Sequence, residues 1–269
     1  MTAGTIAGSW QRNLGYLSRA EQDRLAASRA AVLGLGGVGG VAAELLARAG
    51  VGGLSVCDGD AFEAGNLNRQ VGALSSTLGR PKALVMAQRL QDINPGLRLA
   101  VHGPITPEPA SAETVLAGCR AGVLAVDALA PALACLRAAR RLGIPLVEAL
   151  GLPVVQLRAY APAGRDPEDG LPSQGRDLAS VEPAQLAQAW LAREAPLWGD
   201  GQGGPLALSP DFAQAMLAGG AAPSLGPVIW LAGAAAALEA LKILLGREPL
   251  AWWPRGVSLD PCSWQTSLA

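Results

Sequence analysis

"AAVLGLGGVGGVAAELLARAGVGGLSVCD", residues 30–58, decides the fold. Its first part, AAVLGL (30–35), is a continuous apolar run, the pattern of a strand buried on both faces. Glycines follow at 34, 36, 37 and 39. VAAELLARAG (41–50) then has helical spacing and a glycine stop at Gly50. GLSVCD (53–58) reads as a second strand. Strand, helix and strand make a β-α-β unit, and that unit predicts a doubly wound, Rossmann-like α/β fold with a mixed sheet.

The flanks extend the pattern. Ser18-Arg19-Ala20-Glu21 is a capping box, so a helix is expected to close an N-terminal helical extension over 1–28. Pro81 is expected at the first position of a helix running to Ile93, before Asn94-Pro95. Further strands are expected at 97–102, 121–127, 144–150 and 153–160, with helices near 111–118 and 131–142. Residues 162–222 are dense in glycine and proline, with one helical piece at 183–194. A loop of that length in a compact domain is usually functional or disordered. A long helix over 226–245 follows, and the Trp-rich tail 250–264 should pair as a short strand. The whole chain, 1–269, is read as one domain.

Composition excludes several classes. Half of the 269 residues are hydrophobic and 16% are charged, so the chain is globular. A net charge of −1 argues against nucleic acid as an obligate partner. The four cysteines (Cys57, Cys119, Cys135, Cys262) contain no C-x-x-C pair, which argues against structural zinc and for reduced thiols and a cytoplasmic location. Cys57, Cys119 and Cys135 read as core residues. The single histidine, His102, ends a strand and reads as structural. The uncharged stretch 212–238 is broken by Gly219, Gly220, Pro223, Gly226 and Pro227, so it predicts a buried helix and no membrane span.

Gly34-Leu35-Gly36-Gly37-Val38-Gly39 joins a strand to a helix. Glycines let a backbone approach phosphate, and the helix N-terminus supplies N–H donors. Asp58 ends the second strand, where a ribose-binding acid belongs. These features say nucleotide and leave NAD and ATP open. Asn66-Leu67-Asn68-Arg69-Gln70 and Gly79-Arg80-Pro81-Lys82 follow. A dinucleotide oxidoreductase has no use for Arg69 and Lys82 there. Lys82 in a first helical turn opposes the helix dipole unless an anion sits beside it, and a triphosphate supplies one.

The joint pattern GxGGxG, D-x-D, NLNRQ, G-x-P-K and INP (93–95) resembles the ubiquitin-activating-enzyme-like superfamily, in its bacterial ThiF/MoeB/HesA form. The stretch 223–246 is similar to that family's closing helix, so the likeness covers residues 10–161 and 223–246. The resemblance implies an adenylyltransferase that binds Mg-ATP and activates the C-terminal carboxylate of a ubiquitin-like sulfur carrier or a peptide. It implies that Asp58 holds the ribose, that Gly34, Gly36, Gly37 and Gly39 admit the nucleotide, and that Asn66, Arg69 and Lys82 contact phosphates. It implies that Arg12 reaches a neighbouring subunit's nucleotide, hence a homodimer, and that 162–222 is the crossover loop over the acceptor. Asp60 and Gln70 match the motif, with a structural role equally open.

One departure matters. The family carries D-x-x-D-N after its fourth strand, and the second acid ligates magnesium. Here the stretch is Asp127-Ala128-Leu129-Ala130-Pro131. Asp127 fits the first acid, and Ala130 offers no oxygen for Mg²⁺. The family's downstream arginine is also replaced, with Cys135 near its place and Arg137 close by. Two alternatives follow: a non-catalytic nucleotide-binding scaffold that presents a peptide or carrier to a partner enzyme, and, on the glycines and Asp58 alone, an NAD(P)-dependent oxidoreductase.

Overall fold

A computed structural model describes residues 9–151, 154–194, 223–261 and 263–268. Helix α1 (Arg19–Ala27) precedes the β-α-β unit of β1 (Arg29–Leu33), α2 (Gly37–Arg48) and β2 (Gly53–Cys57). Then come α3 (Lys82–Ile93), β3 (Arg98–His102), α4 (Pro109–Leu116), β4 (Ala121–Leu124), α5 (Leu129–Leu142), β5 (Leu146–Gly151) and β6 (Val155–Tyr160). After α6 (Pro183–Glu194), the long helix α7 (Gly226–Leu244) leads to β7 (Val257–Leu259) and β8 (Thr266–Leu268).

One sheet holds all eight of these strands in the order β3-β2-β1-β4-β5-β6-β7-β8. The first five run parallel and the last three join antiparallel. This is the doubly wound mixed sheet that the β-α-β pattern predicts. Strand β1 shows why: Ala30 and Val32 pack into one core cluster with α2, α3 and α7, while Ala31 and Leu33 pack into a second with α4 and α5. A strand buried on both faces cannot alternate with polar residues, so it reads as an unbroken apolar run.

Helix α7 is long and apolar enough to cross a membrane by length and composition. Its Ala232, Ala236 and Ala240 are fully buried in the core instead, and Gly233 lies against Val41 of α2. Small residues let the two helices approach closely, which accounts for the composition.

Several boundaries differ from expectation, among them β4, which ends at Leu124 where a strand to 127 was expected, and α4 and α5, which each begin two residues early. Pro81 is the N-cap of α3, with ψ 128°, and Lys82 is the first helical residue. The proline's extended ψ turns the chain into the helix one residue later than a first-position proline does. The tail forms two strands where one was expected, because β7 pairs with β6 and the chain doubles back to add β8. The segment 162–180 docks on α5 through Arg137, whose Nε and Nη2 donate to both oxygens of Glu168 at 2.6 and 2.8 Å. The rest of the proposed crossover loop, 195–222, lies outside the described residues.

The Ser18 capping box forms as predicted. The Ser18 backbone N–H, the Arg247 guanidinium and the Ser18 hydroxyl hold the Glu21 carboxyl down to about 2, below its ordinary 4.5. A depressed carboxylate contributes stability that is full above pH 4.5 and is lost as pH falls towards 2. Glu21→Gln is therefore expected to melt below wild type at pH 7, with the gap closing on acidification. Thermal melts across that range check the result, and a gap that widens in acid contradicts it.

Candidate functional site

The chain leaves β1 into α2 on one face of the sheet and β4 into α5 on the other. The strand order reverses there, so the C-terminal ends of β1 and β4 open into a crevice. A cavity of about 660 Å³ occupies it, and Gly34, Gly36, Gly37, Asp58, Asp60, Arg69, Lys82 and Asp127 all line it. Residues scattered over ninety positions of sequence thus share one wall.

The glycines divide by role. Gly34 has φ +94°, and a Cβ there would collide with the Ala125 carbonyl of the neighbouring chain segment. A Cβ on Gly39 would collide with the Gly34 carbonyl. Both serve close packing of α2 against β1 and β4. Gly36 differs: the nearest atom to a Cβ is Gln70 Nε2 at 3.7 Å. It is the N-cap of α2 with no side-chain cap, so the first N–H groups of that helix stay available beside the cavity.

Asp58 ties the turn together. Its Oδ2 accepts from Leu35 N at 2.7 Å and its Oδ1 from Asp60 N at 2.9 Å. Asp60 in turn accepts from Lys82 Nζ at 2.9 Å. The Lys82 side chain is 8% exposed and that of Asp60 72%. The ammonium is therefore buried at the cavity wall while its partner carboxylate stands in solvent.

Arg69 lines the cavity and is braced from behind. Its Nη1 donates to Gly65 O at 2.7 Å and to Asn68 Oδ1 at 2.9 Å, and its own carbonyl accepts from Trp230 Nε1 of α7. Asn66 is not among the lining residues; its Oδ1 accepts from Glu63 N and caps its own 3-10 turn. Arg12 sits exposed in the 3-10 turn Gln11–Asn13, also outside the lining. Gln70 is buried at the cavity wall, and its Oε1 has no partner among the described residues.

Asp127 follows β4 at the cavity's rim with no hydrogen bond or ion pair to the described residues. Ala130 is the second residue of α5 and packs against the core. Arg137 turns away from the cavity to Glu168.

Glu148 is a lining residue that the sequence reading passed over. It sits on β5 opposite Leu124 of β4. Its Oε2 accepts from Arg158 Nε at 2.7 Å and from Tyr160 Oη at 2.8 Å. The available signal was a lone acid inside the apolar strand LVEAL (146–150).

Cys57, Cys119 and Cys135 are buried. Burial pushes the Cys57 and Cys119 thiols up to about 11, and that of Cys135 further up. None supplies a thiolate at neutral pH. Cys262 lies outside the described residues. His102 pairs with Ser55 Oγ at 2.9 Å between two strands, and burial lowers its pKa, in keeping with a structural role.

Residues 10–265 match the sequence model of the ThiF family. The tRNA threonylcarbamoyladenosine dehydratase of Escherichia coli (strain K12) is 35% identical over 146 residues, which are 53% of this chain and 54% of that protein. The sulfur carrier protein ThiS adenylyltransferase of the same strain is 42% identical over 78 residues, 29% of this chain and 31% of that protein. The chain thus spans about half the length, or less, of these curated relatives. A structure of Escherichia coli MccB with AMPCPP and MccA superposes with a TM-score of 0.70 at 18% identity, over 98% of this chain and 71% of that one. The structure titled TcdA (CsdL) has a TM-score of 0.50 at 33% identity, over 54% of this chain and 59% of that one.

Proposed function

The chain belongs to the ThiF family, and we propose from that premise that it is an ATP-dependent adenylyltransferase acting on a carboxylate at the end of a peptide or a ubiquitin-like carrier. One observation carries the reading. Lys82 is buried at the cavity wall, its ammonium held among the described residues by an exposed Asp60 alone, with Arg69 on the same cavity. Two cations converging beside an uncapped helix N-terminus suit a triphosphate.

In this reading the α2 N-terminus at Gly36 and the Lys82 and Arg69 cations hold the phosphates, and Asp58 faces the ribose. Pro104, Ile105 and Val126, which also line the cavity, give the base an apolar slot. The acceptor carboxylate attacks the α-phosphate and pyrophosphate leaves. Lys82 and Arg69 stabilise the charge that develops on the phosphate oxygens. Asn66 and Arg12 act less directly: Asn66 shapes the loop that carries Arg69, and Arg12 would have to complete the site of a second copy in a homodimer.

The cavity's carboxylates define what they could offer Mg²⁺. Asp58 is occupied by two backbone N–H groups, Asp60 by Lys82 and Glu148 by Arg158 and Tyr160. Asp127 alone of the four is unengaged by described residues. Magnesium at nucleotide sites is commonly held by one or two carboxylates, with phosphates and water completing the shell. Asp127 therefore suits a metal that enters on the nucleotide, where it would neutralise phosphate charge. Calorimetric titration with ATP is expected to show binding strengthened by Mg²⁺, with that increment lost in Asp127→Asn and no binding of NAD. Binding of NAD in place of ATP would return the chain to the oxidoreductase reading.

Ala130 favours a second reading, a scaffold that binds nucleotide without turnover. ATP binding indifferent to Mg²⁺, together with exchange activity that appears only in Ala130→Asp, would establish it. The acceptor screen should include tRNA, because several relatives are named for a tRNA nucleoside. The net charge of −1 favours a peptide or carrier.

A further inference from the structure

The nucleotide reading uses the β1, β2, β4 and α3 side of the cavity. It leaves the β5 side without a role. There the lining includes Glu148, Ala149, Leu150, Gly151 and Trp190. Glu148 is the one charged residue among these, and its geometry is specific.

Both of its protein partners are donors, and both reach the same oxygen. Arg158 Nε–H and Tyr160 O–H converge on Oε2 at 2.7 and 2.8 Å. Arg158 is 5% exposed and sits over the rings of Tyr160 and Trp253. The carboxylate is thereby clamped from behind and its charge is balanced by the guanidinium. Oε1 receives no hydrogen bond from the described residues, yet it is not among their buried unpartnered atoms, and Glu148 lines the cavity. The wall therefore presents one fixed acceptor oxygen beside apolar neighbours. A charge already balanced asks for a hydrogen-bond donor and does not ask for a cation.

We propose that Glu148 is a specificity-determining residue whose Oε1 accepts a neutral amide N–H of the acceptor, next to the carboxylate to be activated. This deepens the adenylation reading and rests on it for the identity of the reacting group. It names the acceptor class: a terminal carboxylate whose adjoining linkage carries an N–H, as the last residue of a peptide does. Simple carboxylic acids and N-alkylated termini are disfavoured because they leave Oε1 unpaired at a desolvated wall.

The conservative variant gives a sharp test. In Glu148→Gln the two donors Arg158 and Tyr160 still require an oxygen, so the amide must turn its oxygen to them and its NH₂ to the cavity. Packing and hydrogen bonding are kept while an acceptor becomes a donor. Glu148→Ala is less useful, since it also removes the oxygen on which Arg158 and Tyr160 converge.

The measurement is binding of two probes, acetyl-glycyl-glycine and acetyl-glycyl-sarcosine, followed by tryptophan fluorescence with a non-hydrolysable ATP analogue present. The second probe differs by methylation of the last amide nitrogen. Wild type is expected to bind the first at least ~10-fold more tightly, the size of one hydrogen bond to a charged group. Glu148→Gln is expected to keep the wild-type affinity for the ATP analogue, to melt lower because the Arg158 pair loses its negative partner, and to lose or reverse the preference. Equal binding of the probes by wild type, failure to bind either, or a preference that survives in Glu148→Gln overturns the proposal. The same probes are then tried in ATP–pyrophosphate exchange. A Glu148-dependent binding preference without exchange leaves the site standing and removes the adenylation reading.

Discussion

Lys82→Ala is expected to lose ATP–pyrophosphate exchange by ~10²–10³-fold, the usual effect of deleting a group that stabilises developing charge. Its fold is expected to survive, and the exposures decide this. The partner Asp60 is 72% exposed, so the carboxylate left behind is solvated by water and not stranded. Deleting the buried ammonium therefore leaves no unpaired charge in the interior. The backbone link between the two residues, Lys82 N to Asp60 O at 2.8 Å, is untouched by the substitution. Exchange assays paired with thermal melts separate the two effects. Wild-type exchange in the variant would show that Lys82 does not face the reacting phosphates. A collapsed melting temperature would show that the buried ammonium is structural. Arg69→Ala is expected to behave alike in exchange, although its bonds to Gly65 and Asn68 also shape the loop.

The second large effect separates two glycines three residues apart. Gly39→Ala places a methyl against the Gly34 carbonyl, at a distance that real Cβ atoms do not adopt. Backbone cannot give way as a flexible side chain can, so α2 must move off β1. Overpacking of a tight core costs about 1–3 kcal/mol and occasionally more. For a marginally stable domain this is a large fraction of the total. Gly36→Ala meets nothing nearer than 3.7 Å and should fold with near-wild-type stability. It puts a methyl at the helix N-terminus beside the cavity, and ATP binding is expected to weaken. Melting and calorimetry on both variants check the pair. Equal stability of the two variants, or unchanged ATP binding in Gly36→Ala, would reverse the assignment of fold to one glycine and ligand to the other.

The sequence by itself determined the doubly wound sheet, because burial on both faces forces runs such as AAVLGL and LSVC, and their period is local. It also determined the Ser18 helix start and most of the cavity's cast: Gly34, Gly36, Gly37, Asp58, Arg69, Lys82 and Asp127 sit at strand ends or in short motifs with fixed spacing. Only the tertiary structure decided which of them meet. It set Asn66 and Arg12 off the cavity wall, because a side chain can cap its own turn at the spacing that also marks a motif. It showed that Gly34 and Gly39 answer to a neighbouring carbonyl and that Gly36 tolerates a methyl at ordinary contact distance beside the cavity, a distinction carried by contacts across the sheet. It brought Glu148 to the site through pairing of β5 with β4 and of β6 with β5. A lone acid in an apolar strand declares its role only when long-range strand pairing supplies Arg158 and Tyr160 beside it.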